Sequence, residues 1–156
     1  FGFNQFQSIN HTLGVTVCRI NDNCINSSFY KRIDTIKYIW SYAYTGSKPF
    51  NPAQPTAVFI HGVLNDHSVW ILQSRYLAHH GWNVLAIDLP GHGRSAGLPP
   101  ETVEQGADFV AALLDAAGIA RAALIGHSWG SLIALEAASR LGARATHLVL
   151  VGTAYP

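Results

Sequence analysis

Short apolar runs alternate along the chain with longer amphipathic stretches. The runs contain few polar residues, as is typical of strands buried on both faces of a sheet, and they lie at 56–60, 83–87, 122–125 and 146–151. Helical patterns between and after them lie at about 68–80, 101–117 and 131–141. Strands that alternate with helices of this length predict an α/β fold with a mostly parallel, doubly wound sheet.

A different pattern precedes the first buried run. Large apolar side chains recur at every second position, namely Ile36, Tyr38, Trp40, Tyr42 and Tyr44. Polar or small residues fill most of the positions between them, as in a half-exposed strand. The pattern predicts an antiparallel strand at 36–44 ahead of the parallel ones.

A G-x-S-x-G pentapeptide, Gly126-His127-Ser128-Trp129-Gly130, joins the strand at 122–125 to the helix at 131–141. A serine on a sharp strand-to-helix turn leaves no room for a β-carbon two residues away on either side, which explains both glycines. Such a turn lifts the hydroxyl of Ser128 to a helix N-terminus, where N–H groups and the helix dipole stabilise an anion. The context predicts a nucleophile elbow.

Two further motifs follow apolar strands. His61-Gly62-Val63-Leu64 follows the strand at 56–60, and Asp88-Leu89-Pro90-Gly91-His92-Gly93-Arg94-Ser95 follows the strand at 83–87. In their order and spacing, these motifs and the pentapeptide closely resemble those of the α/β-hydrolase family. The resemblance covers about residues 36–156.

The resemblance implies a set of roles for individual residues. Ser128 is the expected nucleophile, and the backbone N–H groups of Val63 and Trp129 are the expected oxyanion donors. Structural roles are expected for the motif residues His61, Gly62, Gly126 and Gly130. In this family the acid and the histidine base follow the serine, and no position here matches them. We therefore expect an incomplete sheet of about strands 1 to 6, the N-terminal part of a larger hydrolase, inactive by itself.

The other histidines have simpler interpretations. His127 adjoins Ser128, but neighbours across a tight turn point in different directions, which favours a packing role. His92 and Asp88 are expected to be structural, and His67, His79, His80 and His147 belong to no motif. The segment 91–96 formally matches a dinucleotide-binding pattern, but Pro99-Pro100 prevents the helix that this site needs. No cofactor and no metal are expected.

Composition changes along the chain. Residues 1–48 carry five basic and two acidic residues, a net charge of +3, whereas residues 49–156 carry five basic and seven acidic ones, a net charge of −2. We predict an N-terminal segment of uncertain origin at 1–27 and a partial hydrolase domain at 28–156. Cys18 and Cys24 are either free thiols or one local disulfide.

Partners and compartment follow from what the sequence lacks. With an overall charge of +1 and no basic stripe, nucleic acid is not an expected partner. No apolar stretch approaches the length of a membrane span, and no signal peptide is visible, so a cytoplasmic protein is expected. The oligomeric state stays open.

Three functions remain compatible with the sequence. The first is a serine hydrolase that acts on a small-molecule carboxylic ester or a related acyl substrate through an acyl-enzyme on Ser128. The second is a cofactor-free perhydrolase or haloperoxidase-like enzyme with the same catalytic groups. The third is a truncated, non-catalytic product that retains the elbow.

Overall fold

A computed structural model describes residues 16–18, 42–45 and 51–153, the first two ranges by their backbone alone. The strands are β1 (Thr16–Cys18), β2 (Tyr42–Thr45), β3 (Thr56–Ile60), β4 (Asn83–Ile87), β5 (Ala122–His127) and β6 (Ala145–Val151). The helices are α1 (Ile71–His79), α2 (Val103–Ala116) and α3 (Trp129–Leu141), with short 3-10 turns at His67–Trp70 and Gly142–Arg144.

Within these residues the strands form one sheet in the order β1-β2-β4-β3-β5-β6. β1 pairs antiparallel with β2, which pairs antiparallel with β4. β4, β3, β5 and β6 are parallel to one another. The carboxyl ends of β3, β4 and β5 therefore meet at one edge of the sheet, and the three sequence motifs follow those ends.

Helices cover both faces of the sheet, so the predicted doubly wound arrangement is confirmed. α2 and α3 pack against each other and cover one face, where Val58 and Ile60 join the larger apolar cluster. α1 and Trp70 cover the other face, where Ala57 and Phe59 join a smaller cluster. Alternate residues of β3 thus enter opposite layers, which explains why the strand is buried along its whole length and is apolar after Thr56.

Most predicted elements have bounds close to those observed. β3 and β4 span the residues predicted for them, whereas the helix predicted at 68–80 begins with the 3-10 turn before α1. Asp66 caps that turn, because its side chain accepts a hydrogen bond of 2.8 Å from the Ser68 amide. The strand predicted at 36–44 is described only as β2, at its carboxyl end.

Several predictions lie outside the described residues. They include residues 36–41 of the predicted antiparallel strand, the pairing of the two cysteine side chains and most of the N-terminal segment at 1–27. Of that segment only the backbone of β1 is described, and it pairs with β2. The domain boundary at residue 27 stays a prediction.

β6 lies at an edge of the described sheet and carries apolar side chains on both faces. Leu148, Val149, Leu150 and Val151 are 37%, 46%, 40% and 42% exposed. Successive residues of a strand point to opposite faces, so neither face of β6 is fully covered. An apolar edge strand of this kind favours pairing with further polypeptide.

Candidate active site

Ser128 lies between the end of β5 and the start of α3, in a conformation that is rare for a residue with a side chain. Its φ is +53° and its ψ is −122°. Such a conformation costs on the order of 1–3 kcal/mol and persists only where the surroundings impose it. The backbone segments that pack closely around Ser128 impose this conformation, and the adjacent glycines make that close packing possible.

Three glycines allow the backbone segments around Ser128 to approach closely. A β-carbon at Gly126 would overlap the carbonyl oxygen of Gly130, and one at Gly130 would lie 2.5 Å from the carbonyl oxygen of Ile60. A β-carbon at Gly62 would lie 3.0 Å from the β-carbon of Ser128. Any side chain at Gly126 or Gly130 would therefore push the turn, the start of α3 and the end of β3 apart.

Hydrogen bonds hold the backbone of Ser128 on both sides. Its amide donates to the carbonyl oxygen of Val151 on β6 over 2.8 Å. Its carbonyl oxygen accepts from the amide of Ser131 over 2.9 Å and also from the Ser131 hydroxyl. Ser128 is thus tied to β6 and to the first turn of α3, at whose N-terminus it stands.

His61 is fully buried and links the loop after β3 to the loop after β4. Its Nε2 accepts a hydrogen bond of 3.0 Å from the Leu89 amide, so the proton of the neutral ring lies on Nδ1. Nδ1 donates to the carbonyl oxygen of Gly62 over 2.7 Å. Burial lowers the pKa of His61 below its ordinary value of 6.5, which keeps the ring neutral.

Asp88 makes a second link between the same two loops. Its carboxylate accepts hydrogen bonds from the His67 amide over 2.7 Å, from His67 Nδ1 over 2.8 Å and from the Arg94 amide over 3.0 Å. Burial by itself raises the pKa of Asp88, but these hydrogen bonds outweigh it and bring the pKa to about 2. The hydrogen bond to Asp88 raises the pKa of His67.

His127 adjoins Ser128 in sequence but packs elsewhere. Its ring lies edge-on to Trp70, with ring centroids 6.4 Å apart. Its Nδ1 lies 3.3 Å from the position of a β-carbon at Gly62, and its other edge faces Gly152. Within residues 51–153, no imidazole hydrogen-bonds the hydroxyl of Ser128.

The remaining residues of the D-x-P-G-H-G-x-S motif lie in the loop after β4. His92 donates from Nδ1 to the carbonyl oxygen of Pro90 over 3.0 Å, and its ring lies 5.1 Å from that of His61. A β-carbon at Gly93 would lie 2.5 Å from Oδ2 of Asp88. Ser95 donates from its hydroxyl to the carbonyl oxygen of Asp88 over 2.8 Å. The D-x-P-G-H-G-x-S motif thus folds around the Asp88 carboxylate.

The role of His67 could not be predicted from the sequence. It belongs to no motif, and its partner Asp88 is 21 residues away, so only the meeting of the loops after β3 and β4 brings them together. The backbone conformation of Leu64 could not be predicted from the sequence either. It has a positive φ of +61° although it is not a glycine.

Asp66, His67 and Asp88 form a group whose potential ligand atoms lie within 4.8 Å of one another. Hydrogen bonding accounts for the arrangement. Asp66 caps the 3-10 turn, and Asp88 Oδ1 accepts two hydrogen bonds from His67. His67 Nδ1 carries the proton that it donates to Asp88, so this nitrogen is not available as a metal ligand in the arrangement observed. We therefore interpret the group as a structural link.

An apolar groove lies between α1 and the sheet, on the face away from α2 and α3. Its volume is about 480 Å³, and it is lined by Phe59, Leu72, Gln73, Tyr76, Leu77 and Ile125.

Across the described part of the chain, the helices are too short or too polar to traverse a lipid bilayer.

Comparison with known proteins identifies the family. The family model for the alpha/beta hydrolase fold matches residues 55–156, which is most of the chain. The chain belongs to the alpha/beta hydrolase fold family. The resemblance inferred from the three sequence motifs is thereby confirmed, and so is the fold class.

Proteins with different names are similar to this chain. Lipase LipV of Mycobacterium tuberculosis is 35% identical over 108 residues, which cover 67% of the chain and 40% of the lipase. The dihydrolipoyllysine-residue acetyltransferase component of the acetoin cleaving system of Cupriavidus necator is 39% identical over 97 residues, covering 62% of the chain and 26% of that protein. The chain thus spans between a quarter and two fifths of these relatives.

A solved structure shows the same arrangement. The crystal structure of a membrane phospholipase A, described as a bacterial virulence factor, superposes with a TM-score of 0.66 at 33% identity. The match covers 73% of this chain and 36% of the phospholipase. The fold of this solved structure thus agrees with the family assignment.

The two linking histidines are expected to give opposite pH dependences of stability. The pKa of His61 is lowered by folding, so its contribution is complete above pH 6.5 and is lost as the pH falls from 6.5 toward the folded-state pKa. The pKa of His67 is raised by folding, so its contribution is complete below pH 6.5 and is lost as the pH rises through the folded-state pKa.

Urea unfolding of the purified chain across mildly acidic and mildly alkaline pH checks this expectation. His61→Gln should flatten the loss of stability on the acidic side, whereas His67→Gln should flatten the loss on the alkaline side. We compare how steeply the free energy of unfolding changes with pH in each variant. The free energy itself is not compared, because both substitutions also disturb packing. Identical slopes for the wild type and both variants would contradict the assignment.

Proposed function

We propose that the whole protein is a serine hydrolase that cleaves a carboxylic ester or a related acyl substrate through an acyl-enzyme on Ser128. One observation carries the proposal: Ser128 is held with a φ of +53° at the N-terminus of α3, directly beside Gly62. A strained serine at a strand-to-helix turn is the arrangement that exposes a nucleophilic hydroxyl. The similarity to a lipase and to a phospholipase supports an acyl substrate.

The reaction has two halves. The hydroxyl oxygen of Ser128 attacks the carbonyl carbon, and a histidine base takes up the hydroxyl proton. Collapse of the tetrahedral intermediate breaks the bond to the leaving group, which receives that proton. Water then attacks the acyl-enzyme by the same steps, releases the acid and regenerates Ser128. These steps need neither a metal nor an organic cofactor.

Two backbone amides are proposed to hold the oxyanion. Trp129 is the first residue of α3, and the amides of the first helical turn have no partner within the helix. Val63 follows Gly62, where a β-carbon would lie 3.0 Å from the β-carbon of Ser128. Donors so placed contribute on the order of 3–4 kcal/mol each to the transition state. His61 and Asp88 would keep the Val63 side of this hole in position through the hydrogen bonds described above.

The base and the acid of the triad are proposed to come from residues of the whole protein beyond 156. Of the described imidazoles, His61 and His67 already hydrogen-bond across the two loops, and His127 packs against Trp70. The chain spans 40% of the lipase and 36% of the phospholipase it matches. We accordingly propose that 28–156 is part of the hydrolase domain.

Labelling with a fluorophosphonate tests the nucleophile. The whole protein should react at Ser128, because the probe phosphonylates a serine whose proton is taken up by a neighbouring base. Peptide mapping by mass spectrometry locates the adduct, and hydrolysis of a p-nitrophenyl ester is measured in parallel. Ser128→Ala should abolish both labelling and turnover.

Two controls sharpen that experiment. Ser139→Ala removes an exposed hydroxyl near the end of α3, away from the Ser128 turn, and should leave labelling at Ser128. The 156-residue chain alone should show no Ser128-dependent turnover, because removal of any triad member costs several orders of magnitude. Labelling at another serine, with Ser128→Ala fully active, would exclude the proposed nucleophile.

A proline in the oxyanion loop tests the second donor. Val63→Pro removes the backbone N–H and should lower kcat by a factor of about 100 to 1000. Val63→Ile keeps the N–H and should stay within about tenfold of the wild type. Steady-state kinetics of both variants, with circular dichroism to verify folding, make the comparison. Undiminished turnover of a folded Val63→Pro variant would place the second donor elsewhere.

A further inference from the structure

The loop that follows β3 is held at both ends. At the start of the loop, Gly62 abuts Ser128, and the carbonyl oxygen of Gly62 accepts a hydrogen bond from His61 Nδ1. At its end, the amide and the ring of His67 both donate to the buried carboxylate of Asp88. The tip between these anchors has little freedom to relax.

Leu64 lies on this tip in an unfavourable conformation. Its φ is +61°, a value that glycine and asparagine adopt readily and a leucine does not. The tip is a tight turn, since the Asn65 amide donates to the carbonyl oxygen of Gly62 over 3.3 Å. In a turn with a positive φ at this position, glycine is the usual residue. A leucine here adds strain that a glycine would avoid.

The Leu64 side chain does not offset that strain by burial. It is 92% exposed, and its neighbour Val63 is 53% exposed. Packing in the described part of the chain therefore gives no reason for an apolar residue at this position. Strained residues of this kind cluster at functional sites, where the surroundings hold them in place.

The position of Leu64 near Ser128 supplies a reason for an exposed apolar side chain on this tip. It lies two residues after Gly62, which abuts the nucleophile Ser128, and one residue after the proposed oxyanion donor Val63. An acyl group attached to Ser128, with its carbonyl oxygen toward Val63, would carry its hydrocarbon chain past this tip. An apolar side chain on this constrained backbone would contact the hydrocarbon chain without any ordering of the loop backbone on binding.

We propose that Leu64 is a specificity-determining residue that contacts the hydrocarbon chain of the acyl group and favours long acyl chains over short ones. This proposal rests on the proposed function, because it requires an acyl substrate on Ser128. The apolar groove beside α1 is the competing location for the chain. Leu72, which is 74% exposed, lines that groove and provides a matched control.

The experiment compares p-nitrophenyl octanoate with p-nitrophenyl acetate as substrates of the whole protein. In Leu64→Gly and Leu64→Asn the backbone conformation is retained and the apolar side chain is lost. The ratio of kcat/KM for octanoate to that for acetate should fall about tenfold or more in both variants. Leu64→Met keeps an apolar side chain and should preserve the ratio, as should Leu72→Asn.

Thermal unfolding separates a substrate contact from a packing role. Relief of the strained φ should leave the Tm of Leu64→Gly equal to or above that of the wild type, while the octanoate preference falls. A lowered Tm with equal losses on both esters would overturn the proposal and show that Leu64 packs against other parts of the protein. An unchanged ratio, or a reduced ratio in Leu72→Asn, would also overturn it.

Ser128→Ala distinguishes failure of this proposal from failure of the proposed function. If ester hydrolysis depends on Ser128 and the Leu64 variants keep the octanoate preference, only the role of Leu64 is excluded. If no hydrolysis depends on Ser128, both proposals are excluded together.

Discussion

The close approach of three backbone segments around Ser128 is the constraint on which the site depends. The end of β3, the turn after β5 and the first turn of α3 meet where Gly126 and Gly130 leave no room for a side chain. Hydrogen bonds from Ser128 to β6 and from Ser131 back to Ser128 keep the turn in its strained conformation. Contacts with the sheet and with α3 thus offset the strain at Ser128. They also hold the serine in place at the N-terminus of the helix.

A second constraint positions the loop beside the serine. The neutral ring of His61 and the ionised carboxylate of Asp88 join the loops after β3 and β4, and both side chains are almost fully buried. Burial opposes charge on both groups, yet Asp88 stays ionised because three N–H donors compensate for the lost water. The loop that carries Val63 and Leu64 is therefore preorganised, which is what transition-state stabilisation by fixed dipoles requires.

Much of the fold follows from local sequence. β3 and β4 have the predicted bounds because each is an apolar run that begins with one polar residue, Thr56 or Asn83, and a strand buried on both faces tolerates few exposed polar residues. The Ser128 turn could also be predicted, because its glycines report a steric requirement. The contact of His67 with Asp88 and the strained φ of Leu64 could not be predicted, since both arise where two loops far apart in sequence meet. The partners of the antiparallel strands β1 and β2 also depend on contacts between residues far apart in sequence.

In the proposed reaction, Ser128 attacks a carbonyl whose oxygen is then held by the amides of Val63 and Trp129. A crystal structure of the whole protein phosphonylated at Ser128 measures this directly, because the phosphonyl oxygen stands in for the oxyanion. We expect this oxygen to lie about 2.7–3.1 Å from both amide nitrogens, with the loop after β3 unchanged. A phosphonyl oxygen turned toward solvent, or bound by side chains while either amide has another partner, would exclude Val63 and Trp129 as the oxyanion donors.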